Sequence, residues 1–135
     1  MAQSHNLELV AAIPFAAHLG MEVESATAEE VRGTLDWAPE RTTAAGILHG
    51  GALMAFADTL GAICAFLNLP ENTDTATIES KTNFFRAVRG GRVRGTTRPL
   101  HAGRSFIVVQ TDLVDDDGRR VAQVTQTQAV LGRRE

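Results

Sequence analysis

Residues 46–69 are the most hydrophobic stretch of the chain, and the single acid in its middle, Asp58, limits what this stretch can form. Between His49 and the acids beyond Pro70, the only other ionisable side chain is the thiol of Cys64. Burial of a carboxylate without a partner is costly even after its surroundings relax. A helix that carries Asp58 on an apolar run is therefore expected to use it.

The apolar run at residues 52–67 is interrupted by Asp58 and is shorter than the ~20 residues that a membrane span needs. We therefore expect a buried core helix over residues 49–68, apolar nearly all round and enclosed by other structure. Residues 1–6 are polar and lack the features of a signal peptide, which predicts a cytoplasmic protein. A chain of 135 residues is expected to form one domain, residues 1–135. The net charge of −3 gives no preference for nucleic acid or for an anionic membrane.

The segments around this helix predict one more helix and six strands. A short amphipathic helix is expected over residues 7–18, limited by Pro14 and ended by Gly20. Alternation and β-branched or aromatic residues predict strands at residues 21–25, 31–37, 75–85, 92–100, 105–114 and 120–131. A long helix wrapped by a mostly antiparallel sheet is an α+β arrangement.

The acidic run at residues 115–118, Asp-Asp-Asp-Gly, is predicted to be a hairpin turn. It lacks the spacing and the terminal Glu of an EF-hand calcium loop, so no metal site is expected. Cys64 is the only cysteine, which excludes an internal disulfide and suggests no cysteine-based metal site.

The segment Gly46-Ile-Leu-His49-Gly50-Gly51, with Asp58 nine residues after the histidine, resembles the acyl-CoA thioesterases of the hot-dog superfamily. The PaaI-type and 4-hydroxybenzoyl-CoA thioesterase branch is the most similar. The resemblance covers about residues 20–131 and includes the strand that follows the helix. It implies a hot-dog fold, in which an antiparallel sheet of five to six strands wraps a long central helix. It also implies hydrolysis of an acyl-CoA thioester with no cofactor, because coenzyme A is part of the substrate.

The resemblance implies roles for particular residues. Asp58 corresponds to the catalytic carboxylate, Gly50 to the glycine whose backbone N–H polarises the thioester carbonyl, and His49 to a supporting residue. Thr77 falls where relatives carry a Ser or Thr that helps to place water. Thr43 stands six residues before the histidine, where relatives often have Asn or Gln. Either its hydroxyl substitutes for the amide or that contact is lost.

Elementary chemistry supports a site at the start of the helix. Helix N-termini have unpaired N–H groups and a partial positive charge, and Gly50 and Gly51 have no Cβ to keep a ligand away. A thioester oxygen that gains negative charge would be held there. Alternatively, the glycines allow close packing of helix on sheet. For His49 we favour a neutral ring that orients the loop over a general base, because a cation is disfavoured at a helix start.

Asp58 lies eight residues beyond Gly50, or ~12 Å along one helix. Both residues cannot contact one thioester carbonyl within a single chain. If both act on it, Asp58 comes from a second chain, which predicts an active site shared across a two-fold dimer interface. The resemblance implies such homodimers, often paired into homotetramers. Asp58 could act as a general base on water or as a nucleophile, or it could be only a polar residue of the interface.

Seven of the 13 basic residues lie between Lys81 and Arg104. Guanidinium groups suit the phosphates of coenzyme A, and Arg86, Arg89 and Arg104 are the predicted contacts. The alternative is a solvated hairpin edge. The acyl pocket is predicted to be lined by Phe15, Met54, Phe56, Leu60 and Phe84 or Phe85, with some of these residues belonging only to the core. It is expected to have room for an aryl or medium-length acyl group.

Three functions are compatible with these observations. The leading one is hydrolysis of an aryl- or short- to medium-chain acyl-CoA. The second is a hot-dog hydratase or dehydratase, which the lone acid in the His-Gly-Gly helix disfavours. The third is a non-catalytic acyl-CoA-binding protein.

Overall fold

The computed structural model describes residues 8–133. In chain order, its main elements are α1 (Pro14–Leu19), β1 (Glu22–Ala26), β2 (Val31–Asp36), a 3-10 turn (Pro39–Arg41), α2 (Gly50–Leu67), β3 (Thr73–Phe84), β4 (Arg92–Ala102), β5 (Phe106–Val114) and β6 (Arg120–Gly132). The predicted α+β arrangement is confirmed, and the predicted strand bounds agree with the observed ones to within about two residues.

The six strands form one sheet in the order β1-β2-β4-β5-β6-β3. Each neighbouring pair is antiparallel. β3 and β1 therefore lie at the two edges of the sheet. β3 contains a β-bulge between Thr77 and Glu79. At Ile78 the bulge interrupts the regular alternation of side chains between the two faces of the sheet.

One face of α2 packs against the first half of the sheet through large apolar side chains. Phe56 and Leu60 are fully buried, and a Cβ on Gly33 or Gly95 would clash with Leu60. The two strand glycines thus leave the space that the helix fills. Among the residues predicted for the acyl pocket or the core, Phe56 and Leu60 belong to the core, because their side chains are enclosed here.

A second stripe of α2 is open in the single chain, so one chain alone does not enclose the helix as expected. Met54 is 41% exposed and Phe66 56% exposed. Gly51, one turn before Met54, and Asp58, between Met54 and Phe66, are also exposed. These positions recur at helical spacing and form one stripe. We call Gly51, Met54, Asp58 and Phe66 the open stripe of α2.

The region before β1 differs from the predicted single helix. A helical turn ends at Ala11, and Pro14 then begins α1 as its first residue. Proline is suited to that position because its missing N–H would have no intrahelical partner there. Gly20 ends α1 as predicted, with a φ of 82°. Leu7, the predicted first residue, lies outside the described residues.

Candidate active site

His49 caps the N-terminus of α2. Its Nδ1 accepts a hydrogen bond of 2.7 Å from the backbone N–H of Gly51, and its backbone N–H donates to the carbonyl of Arg41 at 2.8 Å. The side chain therefore satisfies one of the unpaired N–H groups of the first turn. The ring therefore contacts the first turn of α2 directly, and its role in catalysis stays a prediction.

The first-turn N–H groups have different partners. The N–H groups of Ala52 and Leu53 both donate to the carbonyl of His49, at 2.9 and 3.1 Å. The N–H of Gly51 is occupied by the His49 ring, so the expectation that a ligand binds there is not supported. Within residues 8–133, the N–H of Gly50 has no acceptor. Gly50 is therefore the one first-turn position that can offer an N–H to an incoming oxygen.

A groove of about 340 Å³ lies beside Gly50. Its wall is formed by the loop before α2 and the segment after β3, with the residues Thr43, Ile47, Leu48, Gly50, Leu53, Phe84, Phe85, Arg86 and Ala87. The Phe84 ring covers Gly50 so closely that an added Cβ would lie 3.3 Å from Cζ. The groove thus brings together four predicted site residues: Thr43, Gly50, Phe84 and Arg86.

Thr43 holds the loop that leads to α2. Its hydroxyl accepts a hydrogen bond of 3.3 Å from the N–H of Ala45, and its own N–H donates to the carbonyl of Ile47 at 2.8 Å. The side chain is exposed and borders the groove. Thr43 is therefore positioned next to Gly50, with its hydroxyl already used as an acceptor within the loop.

Asp58 lies on the open stripe, two helical turns after Gly50. Its Oδ1 accepts a hydrogen bond of 3.3 Å from Nε2 of Gln126. The carboxyl group is open to solvent in the single chain, yet the surrounding protein atoms remove part of its hydration, and this desolvation raises the pKa of Asp58. A carboxylate with a raised pKa is a stronger base than an ordinary aspartate.

Thr77 is linked to Asp58 through two buried glutamines. Nε2 of Gln128 donates to the Thr77 hydroxyl at 2.8 Å and to Oε1 of Gln126 at 3.0 Å. Gln126 then donates to Asp58. Thr77 therefore does not contact Asp58 within one chain but belongs to the same hydrogen-bonded group.

The three predicted arginines do not lie together in one chain. Arg86 and Arg89 are in the segment between β3 and β4, and both border a cavity of about 380 Å³ whose other wall is the 115–117 turn. Arg104 follows the far end of β4, ten residues or ~33 Å from its start. Within one chain, Arg104 cannot bind the same phosphate as Arg86 and Arg89.

The hairpin turn predicted at residues 115–118 is confirmed. Oδ1 of Asp115 accepts from the N–H groups of Asp117 and Arg119 at 3.0 and 2.9 Å. Gly118 has a φ of 76°, a left-handed conformation that glycine adopts readily. The Asp115 carboxylate is thus used within the turn, and the Asp116 carboxylate accepts a hydrogen bond of 3.1 Å from the N–H of Arg92 at the start of β4.

Arg41 is a site residue that the sequence reasoning missed. Its guanidinium donates to the carbonyl of Leu19 at the end of α1 and to the carbonyl of Asp36 at the end of β2, at 3.0 and 2.9 Å. Its own carbonyl accepts from His49. Arg41 therefore joins α1, β2 and the start of α2. No motif in the sequence marks it, because its partners are backbone atoms distant along the chain.

A second groove of about 490 Å³ lies on the other side of the α2 N-terminus. It is lined by residues of α1, the 3-10 turn and α2, among them Phe15, His18, Arg41, His49, Gly51 and Ala55. Phe15, predicted for the acyl pocket, borders this groove rather than the one beside Gly50. Met54 contributes to neither wall but is exposed on the open stripe.

Comparison with known proteins identifies the family. Residues 45–122, which include the start of α2, Asp58 and most of the sheet, match the family model of the thioesterase superfamily. The chain belongs to the thioesterase superfamily.

Two curated relatives and one solved structure agree with the family. The chain is 32% identical to the proofreading thioesterase EntH of Cronobacter turicensis over 85% of this chain and 84% of that protein. It is 35% identical to the 1,4-dihydroxy-2-naphthoyl-CoA hydrolase of Escherichia coli over 64% of this chain and 63% of that protein. A thioesterase structure from Haemophilus influenzae superimposes with a TM-score of 0.89 and 26% identity, covering 97% of this chain and 92% of the other.

The six-stranded antiparallel sheet and the long central helix of this chain match the solved structures of the superfamily. The predicted hot-dog fold is therefore confirmed. The chain is a thioester hydrolase, which is the enzyme class of the leading functional prediction. Within the thioesterase superfamily, the acyl group and the roles of individual residues are separate questions.

Proposed function

We propose that this thioesterase hydrolyses an aryl- or short- to medium-chain acyl-CoA to the free acid and coenzyme A. The observation that carries the proposal is the pair of groups on α2: an open N–H at Gly50 and a carboxylate of raised pKa at Asp58. The Gly50 N–H polarises the thioester carbonyl, and Asp58 activates water or attacks the carbonyl carbon. His49 keeps the first turn in place.

The separation of these two groups supports a site made by two chains. Eight helical residues separate Gly50 from Asp58 by ~12 Å, too far for one carbonyl to reach both. The open stripe of α2, which includes the exposed Met54 and Phe66, and the uncovered edge of β3 are available for a second copy of the chain. We propose a homodimer in which each site takes Gly50 from one chain and Asp58 from the other, and a homotetramer as a pair of such dimers.

The groove beside Gly50 supports the substrate class. Phe84 and Phe85 supply apolar walls and Arg86 a cation at the rim, which suit an acyl group and the phosphates of coenzyme A respectively. The relative that acts on 1,4-dihydroxy-2-naphthoyl-CoA has an aryl substrate by its name. The PaaI-type branch, a cytoplasmic location and catalysis without metal or added cofactor are parts of the same proposal.

Thiol release from a panel of aryl-, short-, medium- and long-chain acyl-CoAs tests the reaction. We expect turnover of an aryl or short- to medium-chain member, and a loss of at least ~100-fold in kcat for Asp58→Asn. Asp36→Asn is the matched control, because Asp36 is an exposed strand carboxylate of β2, away from the β3 edge, and is paired with Arg92 at 2.6 Å; the variant should keep wild-type kcat. Turnover of long-chain members alone, or full activity of Asp58→Asn, would contradict the proposal.

Gly50→Pro tests the N–H donor directly. Proline lacks the N–H and is favoured at the first position of a helix, and His49 already has a ψ of 134°, which suits a residue before proline. Gly50→Ala is the control, since it adds the same Cβ against Phe84 but keeps the N–H. We expect a much larger fall in kcat for Gly50→Pro than for Gly50→Ala.

Mixing the two inactive proteins tests whether the site is shared. A dimer of one Asp58→Asn chain and one Gly50→Pro chain has one site with both groups intact, so unfolding and refolding an equal mixture should restore about a quarter of wild-type activity. A site contained in one chain predicts no restoration.

The role of Arg86 is tested by comparing two substrates. Arg86→Gln should raise the KM for an acyl-CoA but not for the same acyl group on N-acetylcysteamine, which lacks the nucleotide. An equal effect on both substrates would place Arg86 away from the phosphates.

A further inference from the structure

Two buried glutamines of β6 contact both α2 and the neighbouring strand β3 through their side chains. Gln126 is 0% exposed and Gln128 1% exposed. Both are on the face of β6 that packs against the helix, where their neighbours Val124 and Ala57 are apolar core residues. Buried amides need hydrogen-bond partners for both ends, so their contacts define how each side chain is oriented. We call Gln126 and Gln128 the amide pair.

Every polar end of the amide pair has a partner. Nε2 of Gln126 donates to the carbonyl of Ala57 at 3.4 Å and to Oδ1 of Asp58 at 3.3 Å, while its Oε1 accepts from Gln128 at 3.0 Å. A flipped Gln126 amide would bring its oxygen against two acceptors and its N–H groups against the donor of Gln128. Only one orientation satisfies all three contacts.

Gln128 is itself held on the other side. Its Oε1 accepts from the hydroxyl of Thr75 at 3.2 Å, and its Nε2 donates to the hydroxyl of Thr77 at 2.8 Å as well as to Gln126. The pair therefore connects two hydroxyls on the edge strand β3 to one carboxylate on α2. A fixed donor of this kind restricts the rotation of the carboxylate that it contacts.

Gly61 provides the space for this arrangement. It lies three residues after Asp58, on the same side of α2, and a Cβ there would lie 2.7 Å from Cδ of Gln126. Glycine in a helix interior is unfavourable, so its presence at this point is explained by the side chain that crosses it.

We propose that Gln126, oriented by Gln128, is a positioning residue that holds Oδ1 of Asp58 and leaves Oδ2 directed to the reacting groups. The inference rests on the proposed function, in which Asp58 acts on the thioester or on its attacking water. Within residues 8–133, Oδ2 of Asp58 has no hydrogen-bond donor, so the two oxygens have different roles. Gln126 does not contact the substrate and acts only through Asp58.

The surroundings make the protonation of Asp58 a direct readout of this contact. Glu79 and Lys81 of β3 pair with Thr127 and Thr125, which alternate with the amide pair and so face the other side of the sheet. On α2, the only other titratable side chain is the Cys64 thiol, whose pKa burial raises to about 11. Since Gln126 donates to the carboxylate, losing that donor should raise the pKa of Asp58 beyond the effect of desolvation.

The test uses Gln126→Met, which keeps the side-chain length but removes the donor, and Gln126→Glu, which keeps the shape and replaces the donor by a carboxylate. The control is Gln123→Met, because Gln123 is on the same strand and donates to Asp112 at 3.0 Å. Activity is measured with benzoyl-CoA or hexanoyl-CoA, whichever wild type hydrolyses with the higher kcat/KM. The Asp58 carboxyl is also titrated by carbon NMR in the absence of substrate.

We expect both Gln126 variants to lose roughly 10- to 100-fold in kcat with little change in KM, as for a displaced catalytic group. The acid limb of kcat/KM and the NMR titration of Asp58 should both move to higher pH, further in Gln126→Glu than in Gln126→Met. Gln123→Met should match wild type in both. If one Gln126 variant does not fold, the other gives the same readouts.

A folded Gln126 variant with wild-type kcat and an unmoved Asp58 titration would overturn the inference. The outcome for the proposed function is separate: it fails if Asp58→Asn stays active, whatever Gln126 does. The inference alone fails if Asp58→Asn is inactive while both Gln126 variants behave as wild type.

Discussion

The central helix packs against the two halves of its sheet in opposite ways. Towards β2 and β4 the large side chains belong to the helix, Phe56 and Leu60, and the sheet makes room with Gly33 and Gly95. Towards β6 the large side chain, Gln126, belongs to the sheet, and the helix makes room with Gly61. The first contact is wholly apolar and the second ends in a hydrogen bond to Asp58.

The two contacts are expected to affect different properties, the apolar one the stability of the fold and the Gln126 one the geometry of the site. Burial of Phe56 and Leu60 removes apolar surface from water and stabilises the packing of the helix on the sheet. The Gln126 contact replaces such burial with amide hydrogen bonds, which add little net stability but define geometry. We therefore expect substitutions in the first contact to change the free energy of unfolding and those in the second to change kcat.

Leu60→Ala should produce the largest loss of stability, about 2–5 kcal/mol, because a cavity replaces a fully buried side chain. Chemical denaturation measures it. In the Leu60→Ala variant, Gly95→Ala should lower the free energy of unfolding by less than it does in wild type, because its Cβ would occupy space left by Leu60. Strict additivity of the two changes would contradict the proposed packing.

Gly95→Ala alone should destabilise the protein by about 1–3 kcal/mol through overpacking. Its Cβ would lie 2.6 Å from Cδ1 of Leu60 and 3.1 Å from Cζ of Phe56. The denaturation midpoint should fall while the kcat of the remaining folded protein stays near wild type. A fall in kcat as large as that of Asp58→Asn would mean that the packing of α2 on β2 and β4 also controls catalysis.

Gly61→Ala should change the pH dependence of kcat/KM more than the free energy of unfolding. The gain in helix propensity, about 1 kcal/mol, offsets part of the cost of displacing the buried Gln126 amide, so the free energy of unfolding should fall by less than in Gly95→Ala. The acid limb of kcat/KM should move towards that of Gln126→Met. An unchanged pH profile would show that Gln126 can shift without disturbing Asp58.

Asp58→Asn should have the smallest effect on stability, and the size of this effect depends on pH. Folding raises the pKa of Asp58, so the native state binds more protons and loses stability as pH rises from the unfolded pKa through the folded pKa. At neutral pH the Asn variant should therefore melt slightly above wild type, and the difference should disappear at pH values below both pKa values. A lower Tm for the variant at pH 7 would contradict this sign.

Much of the fold could be predicted because its signals are local. Alternation along residues 31–37 and 105–114 gave strands, and the apolar run around Asp58 gave the long helix. The single helix predicted over residues 7–18 was wrong at Pro14, which begins a second helix. A proline that limits one helix and a proline that begins the next produce the same local pattern. The bulge at Ile78 has no turn residue to mark it.

The site was predictable where neighbours in sequence are neighbours in space. His49, Gly50 and Gly51 belong to one helix start, so their cap and the open N–H follow from helix geometry. Gln126 is 68 residues from Asp58, and nothing in a polar residue on a late strand indicates which helix it meets. Phe56 and Asp58 are two residues apart, and their opposite exposure depends on which side of α2 faces the sheet.

The cap made by His49 has a consequence for the hydrogen atoms of its ring. A nitrogen that accepts the Gly51 N–H at 2.7 Å cannot carry a proton, so the neutral ring is fixed in the tautomer with its proton on Nε2. The imidazole can then donate from Nε2 while Nδ1 holds the first turn of α2. The same ring can therefore hold the helix start on one side and bind an acceptor on the other.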